Sequence, residues 1–125
     1  MKSVEDLVAK AIEAIEEHLV NNGEVDRQYN GYISNFGASI IQSGLIPTIA
    51  FFSSEKSSSE KDRKKLLEAI LFLIKDMDNS VDSSRLIDYA IREQNKNKLD
   101  LAEERILRSA TAIKLAIRTF KLKDN

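Results

Sequence analysis

The spacing of apolar residues restricts the fold of this chain more than any other feature. Along most of its 125 residues, apolar side chains recur at steps of three and four, and strict alternation over strand-length windows is nearly absent. Only four glycines and one proline interrupt the pattern. These features predict an all-α protein, a single compact bundle of about six helices that spans residues 1–125. A chain of this length can bury a hydrophobic core of its own.

Capping and turn residues divide the first half of the chain into helices. A first helix is predicted to begin at Ser3, with Asp6 at the spacing of a capping box. The sequence Asn21-Asn22-Gly23 is predicted to end it with a left-handed residue. A second helix is predicted over residues 27–43, with Gly44 just past its end.

Four further helices are predicted after Gly44. Pro47 suits the first turn of a short third helix that continues to Phe52. Ser59 and Asp62 have capping-box spacing at the start of the next one. The remaining helices are predicted over residues 60–78, 83–94 and 99–121. The segment 66–77 is apolar over most of its circumference, so it should be the most buried.

Apolar residues at the centres of these stripes are expected to form the core. The residues expected there are Phe36, Phe51, Ile70, Ile74, Ile113 and Ile117.

The residue inventory argues against catalysis and against a bound metal or cofactor. The chain has no cysteine and a single histidine, His18, and it has no glycine-rich phosphate loop. We therefore expect a protein that is not an enzyme, with no catalytic residue, cofactor or metal. The beginning of the chain lacks an apolar signal core, and no apolar run approaches the roughly 20 residues of a membrane span. The expected location is cytoplasmic, away from the membrane.

Charge is distributed unevenly along the chain, although the net charge is only −1. Residues 1–50 contain three basic and seven acidic side chains, whereas residues 51–125 contain sixteen basic and thirteen acidic ones. Within residues 105–123 there are six basic side chains and no acidic one. This stretch is the strongest electrostatic signal in the sequence.

Several of these basic residues share one flank of the last predicted helix. At about 100° per residue, Lys114, Arg118 and Lys121 fall close together beside the core stripe. We interpret them as candidates for contact with RNA phosphates, with Arg108 as a weaker fourth. A purely solvated helix face is the alternative interpretation. The cluster Lys61-Arg63-Lys64-Lys65 is the next candidate for RNA contact.

A second apolar line runs along the same helix, roughly opposite the core. It consists of Leu101, Leu115 and Leu122. These leucines are candidates for a contact with another protein chain. They could equally be further core or isolated surface leucines, which are common.

One motif in the first half of the chain points to a family. Tyr29 begins a helix, Gly44-Leu45 follow fifteen and sixteen residues later, and Ala50-Phe51 close a helix–Gly-Leu–helix unit. This segment resembles the small subunit of type III-B CRISPR effector complexes, the Cmr small-subunit family. The chain departs from the family at Gly37, where members often have proline. It also departs at residues 114–118, where members often have an aromatic residue next to an arginine.

The resemblance implies a non-catalytic subunit of an RNA-guided, RNA-targeting effector complex in antiviral defence. In such complexes, small helical subunits stack into a minor filament and line the path of the target RNA. The implied partners are other subunits of the complex, copies of this chain, and the guide and target RNA. Two other interpretations remain open at this point: a helical protein-interaction adaptor or regulator unrelated to CRISPR, and a small helical enzyme.

Overall fold

Six helices account for most of the chain in the computed structural model, which describes residues 3–54 and 61–124. The helices are α1 Val4–His18, α2 Arg27–Ser43, α3 Leu45–Phe52, α4 Arg63–Met77, α5 Leu86–Asn95 and α6 Leu99–Ala116. The 3₁₀ helix Ile117–Thr119 follows α6 directly. Three short strands are also present: β1 Val20–Asn21, β2 Glu24–Asp26 and β3 Leu122–Lys123. The prediction of a six-helix, all-α class is confirmed, with the small sheet as an addition.

The first helix begins with the predicted capping box. The Ser3 hydroxyl accepts from the backbone N–H of Asp6 at 3.2 Å, and the Asp6 carboxylate accepts from the Ser3 backbone N–H at 3.4 Å. Two of the N–H groups that a helix start leaves without partners are thereby satisfied. The inner face of α1, which includes Leu7 and Ile15, is fully buried against α4 and α6.

The first helix is followed by a β-hairpin, which the sequence analysis did not predict. Asn22 and Gly23 have φ values of 55° and 79° and form a two-residue turn between β1 and β2. Both residues are left-handed, but they form the turn of a strand pair. The first helix itself ends at His18 with Leu19 in a right-handed conformation, so the predicted left-handed helix end was wrong. An Asn-Gly pair is a strong hairpin signal, and strands of two and three residues are too short to show alternation.

The last helix ends earlier than predicted. The structure ends α6 at Ala116 rather than at residue 121, because the chain turns to pair with β2. In this parallel pairing Val25 lies opposite Leu122, and the Val25 N–H donates to the carbonyl of Lys121 at 2.9 Å. The side chain of Val25 is fully buried, so this contact closes one end of the core.

The fourth helix also begins later than predicted, at Arg63. Its N-cap is Asp62, whose carboxylate accepts from the N–H of Lys64 at 3.0 Å. Ser59, the predicted capping partner, lies outside the described residues. Tyr29 connects this start to α2, because its hydroxyl donates to the carbonyl of Asp62 at 3.2 Å. Burial raises the pKa of Tyr29 to about 12, so the phenol stays protonated and remains a donor.

The core confirms the expected burial except at one residue. Phe36, Ile70, Ile74, Ile113 and Ile117 are all fully buried, and α4 is the helix that carries the most buried apolar side chains. The prediction for Phe51 was wrong.

Phe51 has 62% of its surface exposed, and the adjacent Phe52 is buried instead. Residues on the inner face of α3 are Leu45, Thr48, Ile49 and Phe52. The spacing of this set places Ala50 and Phe51 on the outer side of the helix. Because α3 is apolar around most of its circumference, its sequence pattern does not indicate which side faces the core.

Two glycines inside α2 provide a test of this helix. A Cβ at Gly31 would meet nothing within 4 Å, and a Cβ at Gly37 would lie 3.8 Å from Leu107 Cδ2. Gly31→Ala and Gly37→Ala should each increase the free energy of unfolding by about 0.5–1 kcal/mol, since alanine loses less entropy on folding into a helix. Thermal unfolding of each variant checks this. A lower melting temperature at Gly37 would mean that α6 lies closer to α2 than the structure shows.

Candidate nucleic-acid and protein interface

The outward face of the last helix presents two basic side chains to solvent. Thr111, Lys114 and Leu115 of α6 are exposed, and so is Arg118 in the 3₁₀ helix that continues it; the four follow the spacing i, i+3, i+4, i+7. The opposite face, which includes Ile106 and Ile113, is fully buried. Leu115 has 43% of its surface exposed. We call these four residues the outer α6 face.

Neither cation of the outer α6 face is neutralised within the part of the chain that the structure describes. Among residues 3–54 and 61–124, no acidic side chain lies within ion-pair distance of Lys114 or Arg118. With respect to that part of the chain, both are open to an external anion, and a charged pair of this kind forms strong hydrogen bonds.

The other two candidates for RNA contact have internal partners. Arg108 Nη2 lies 3.2 Å from Glu104 Oε1, one helical turn away, and the side chain is half-buried. Lys121 Nζ lies 3.8 Å from Glu24 Oε2, across the sheet. Lys121 lies beyond both α6 and the 3₁₀ helix that continues it, so the predicted continuous helical flank from Lys114 to Lys121 was wrong.

Arg105 serves the fold rather than a surface. Its guanidinium lies 3.4 Å from Asp78 Oδ2 and 3.5 Å from the hydroxyl of Tyr89, and the side chain is 19% exposed. Hydrogen bonds from Ser80, together with the nearby Arg105 charge, hold the pKa of Asp78 below its ordinary value. The stabilisation from this carboxylate is therefore present at neutral pH and is lost as the pH falls through the lowered pKa.

Substitution of Arg105 tests whether this basic residue stabilises the fold. Arg105→Ala should lower the free energy of unfolding by roughly 1 kcal/mol, because it removes hydrogen bonds to Asp78 and Tyr89. It should leave the RNA affinity of any assembly that contains the chain unchanged. Thermal unfolding and RNA titration of the same preparation check both statements. A loss of RNA affinity with unchanged stability would place Arg105 at the interface instead.

The three candidate interface leucines do not form one line. Leu115 is exposed on the outer α6 face, and Leu101 is half-buried near the start of the helix. Leu122 is in β3 and packs against the core, so the predicted helical line that includes it was wrong. Leu115 is therefore the leucine of this set that offers most apolar surface to a partner.

The single histidine, His18, packs within the fold. Among the described residues, no group of three or more histidine, cysteine, aspartate and glutamate side chains could hold a metal ion. His18 packs edge-on against Phe72, with its Nδ1 3.5 Å from Glu68 Oε2. No helix of the described chain is both long enough and apolar enough to span a membrane.

Comparison with known proteins identifies the family. Residues 4–118 match the family described as CRISPR-associated protein (Cas_Cmr5), which covers α1 to α6 and most of the 3₁₀ helix. No curated protein and no solved structure gives a significant match. The match confirms the resemblance seen in the segment from Tyr29 to Phe51 and favours a CRISPR function over an unrelated adaptor. The chain belongs to the Cas_Cmr5 family, the CRISPR-associated small subunits of the type III-B Cmr complex.

Proposed function

We propose that this chain is a non-catalytic structural subunit of a type III-B CRISPR RNA-guided effector complex that targets RNA in antiviral defence. Residues 1–125 act as one small-subunit domain in the cytoplasm, need no cofactor, and stack with copies of themselves into the minor filament. The filament lines the path of the target RNA. The observation that carries this proposal is the family match over residues 4–118. The RNA contact is supported by the pair of cations on the outer α6 face, Lys114 and Arg118, which have no acidic partner among the described residues.

The two cations would contact RNA phosphates. Target identity in an RNA-guided complex is read by base pairing with the guide, so the protein needs to contact only the backbone and the shape of the duplex. Lys114 and Arg118 supply that contact without any base preference. Arg108 and Lys121 add to it where RNA phosphates replace their partners Glu104 and Glu24.

Assembly into a filament would allow a chain with a pI of about 5.9 to bind RNA. A single copy offers few cations, and its net charge of −1 gives no long-range attraction for a polyanion. In a filament the outer α6 face would repeat along the RNA. Weak contacts made by linked copies add up to strong binding without any new contact type.

Leu115 is proposed to contact a neighbouring subunit of the filament. Leu101 and Leu122 are half-buried and lie apart from it, so they are weaker candidates for such a contact. Leu115 is exposed beside Lys114, so an apolar contact and the phosphate contact would be adjacent. Such a contact would also fix the position of the basic side chains relative to the RNA. Other subunits of the complex and copies of this chain are the proposed partners.

Leu115→Glu tests the assembly part of the proposal. The variant should fold normally, because the side chain is exposed. It should nevertheless fail to enter the effector complex, because the glutamate would be buried in an apolar contact between subunits. The measurement is the amount of variant chain that co-purifies with the other subunits, with thermal unfolding as a check on the fold.

Ile91→Glu is the matched control for this experiment. Ile91 is an apolar residue of α5 with 42% of its surface exposed, close to the value for Leu115. We expect the Ile91 variant to enter the complex at the wild-type level. Normal incorporation of Leu115→Glu would contradict the assignment of Leu115 to the subunit contact.

A further inference from the structure

A groove beside the exposed Phe51 lies outside the outer α6 face. It has a volume of about 520 Å³ and lies between α2, α3 and the beginning of α4. Its polar side is formed by Asn35, Ser39 and Gln42, which follow one another along α2 at steps of four and three. Phe51 forms the aromatic side, and Arg63 lies at the end contributed by α4.

The ring of Phe51 is held in place by its neighbours. It packs edge-on against Phe52 with ring centroids 5.8 Å apart, and Phe52 packs edge-on against the buried Phe36 at 5.1 Å. The guanidinium carbon of Arg63 lies 4.9 Å from the Phe51 ring centroid. Only 7% of Arg63 is exposed, and its Nη2 donates to the Ser54 hydroxyl at 3.2 Å. A rigid aromatic ring, backed by a nearly buried arginine, is therefore present on the outside of the protein.

The other side of the groove can form hydrogen bonds. Asn35 and Gln42 are exposed amides, and each offers both donors and an acceptor. An apolar protein segment in this groove would remove water from these amides without replacing their hydrogen bonds, which is costly. The edge of a nucleobase carries donors and acceptors that satisfy them. Lys64 and Lys65, in the first turn of α4, add positive charge close to Arg63.

We propose that this groove binds an unpaired nucleobase of single-stranded RNA. The base stacks on Phe51, its edge faces Asn35 and Gln42, and the adjoining phosphates lie towards Lys65. An aromatic side chain, an arginine and amide groups are the combination that proteins use to hold splayed-out bases of single strands. This proposal rests on the proposed function only for the origin of the RNA, which would be the target strand in the complex.

The test uses the full-length chain and a short uridine RNA with one central 2-aminopurine, a base whose fluorescence falls when it stacks. At low salt, the wild-type chain should bind the RNA and quench the fluorescence. Phe51→Ala and Phe51→Leu should each bind roughly tenfold more weakly with little quenching, because both remove the stacking surface. Phe51→Trp should retain binding and quenching. Since leucine keeps an apolar side chain at this position, it separates stacking from a general apolar contact.

Two controls make the result specific. Ile41→Ala changes a residue of α2 with 82% of its surface exposed that does not line the groove, and RNA binding should be unchanged. An RNA of equal length with abasic sites should bind wild type about as weakly as the normal RNA binds Phe51→Leu. Thermal unfolding shows whether each Phe51 variant is folded.

Two results would overturn the proposal. One is the absence of 2-aminopurine quenching by the wild-type chain, or equal quenching by Phe51→Leu. The other is an unchanged RNA affinity of the Phe51→Ala chain. If that variant chain also fails to enter the assembled complex, Phe51 is assigned to a protein contact instead. Because the experiment uses the chain alone, its failure leaves the role of Lys114 and Arg118 in the complex unaffected.

Discussion

Changing Lys114 and Arg118 together to glutamate should weaken target-RNA binding by the reconstituted effector complex by roughly tenfold for each copy of the chain that touches RNA. Each phosphate bound by a basic side chain releases a counterion, so the substitution also changes the salt dependence. The slope of log affinity against log salt concentration should become shallower by about 0.7–0.9 for every phosphate that is no longer bound. Titrations between about 50 and 200 mM salt measure both effects.

A charge-matched variant separates local contact from net charge. Lys75→Glu with Lys98→Glu changes the net charge equally at two exposed lysines that lie in α4 and before α6. A complex with this control variant should bind RNA nearly as well as wild type. Salt at about 0.1 M screens the two new glutamates, so their repulsion of RNA reaches only about 10 Å. If the Lys114 and Arg118 variant assembles normally with wild-type affinity and salt slope, the outer α6 face does not contact RNA. The basic residues at the start of α4 would then be the next candidates.

Gly44→Ala should lower the free energy of unfolding by about 1–3 kcal/mol, with a melting temperature lower by roughly 4–12 °C. Gly44 has φ 96° and ψ 161°, a combination that essentially only glycine adopts without strain. A Cβ at this position would lie 3.6 Å from Pro47 Cδ, which is an ordinary contact. The cost therefore comes from the backbone conformation and not from a clash.

The position of Gly44 explains why the backbone cannot relax easily. Its N–H donates to the carbonyl of Ile40 at 2.8 Å and closes α2, and its own carbonyl accepts from Thr48 at 3.3 Å at the start of α3. One residue thus ends one helix and begins the next. Gly37→Ala, in the middle of α2, is the control and should shift stability in the opposite direction. Equal stability of Gly44→Ala and wild type would contradict the strained backbone at this junction.

Local signals were sufficient to predict most helices. The capping pair Ser3 and Asp6 and the junction at Gly44 both lie where the sequence predicts them, and α2 has the predicted limits 27–43. In these places a short-range interaction decides the conformation, so the pattern of a few residues is enough.

Contacts between distant residues explain what the sequence did not predict. The end of α6 depends on the pairing of Leu122 with Val25, and no local pattern in either strand indicates that partner. In the same way, the internal partner of Arg105 is Asp78, which a count of basic residues does not reveal. Among the four candidates for RNA contact, the pairing of Lys121 with Glu24 is likewise long-range, whereas the pairing of Arg108 with Glu104 is one helical turn long and could be read from the sequence.

Sequencing the RNA that co-purifies with the affinity-tagged chain, isolated from its own cells at native salt, tests most directly whether this protein works in an RNA-guided effector. We expect the recovered RNA to be enriched in transcripts of CRISPR arrays, because the chain would be isolated within the complex that holds the guide. The Leu115→Glu chain should recover none of this RNA, and Ile91→Glu should recover the wild-type amount. Recovery of no RNA, or of unselected cellular RNA, with the wild-type chain would contradict the proposed function.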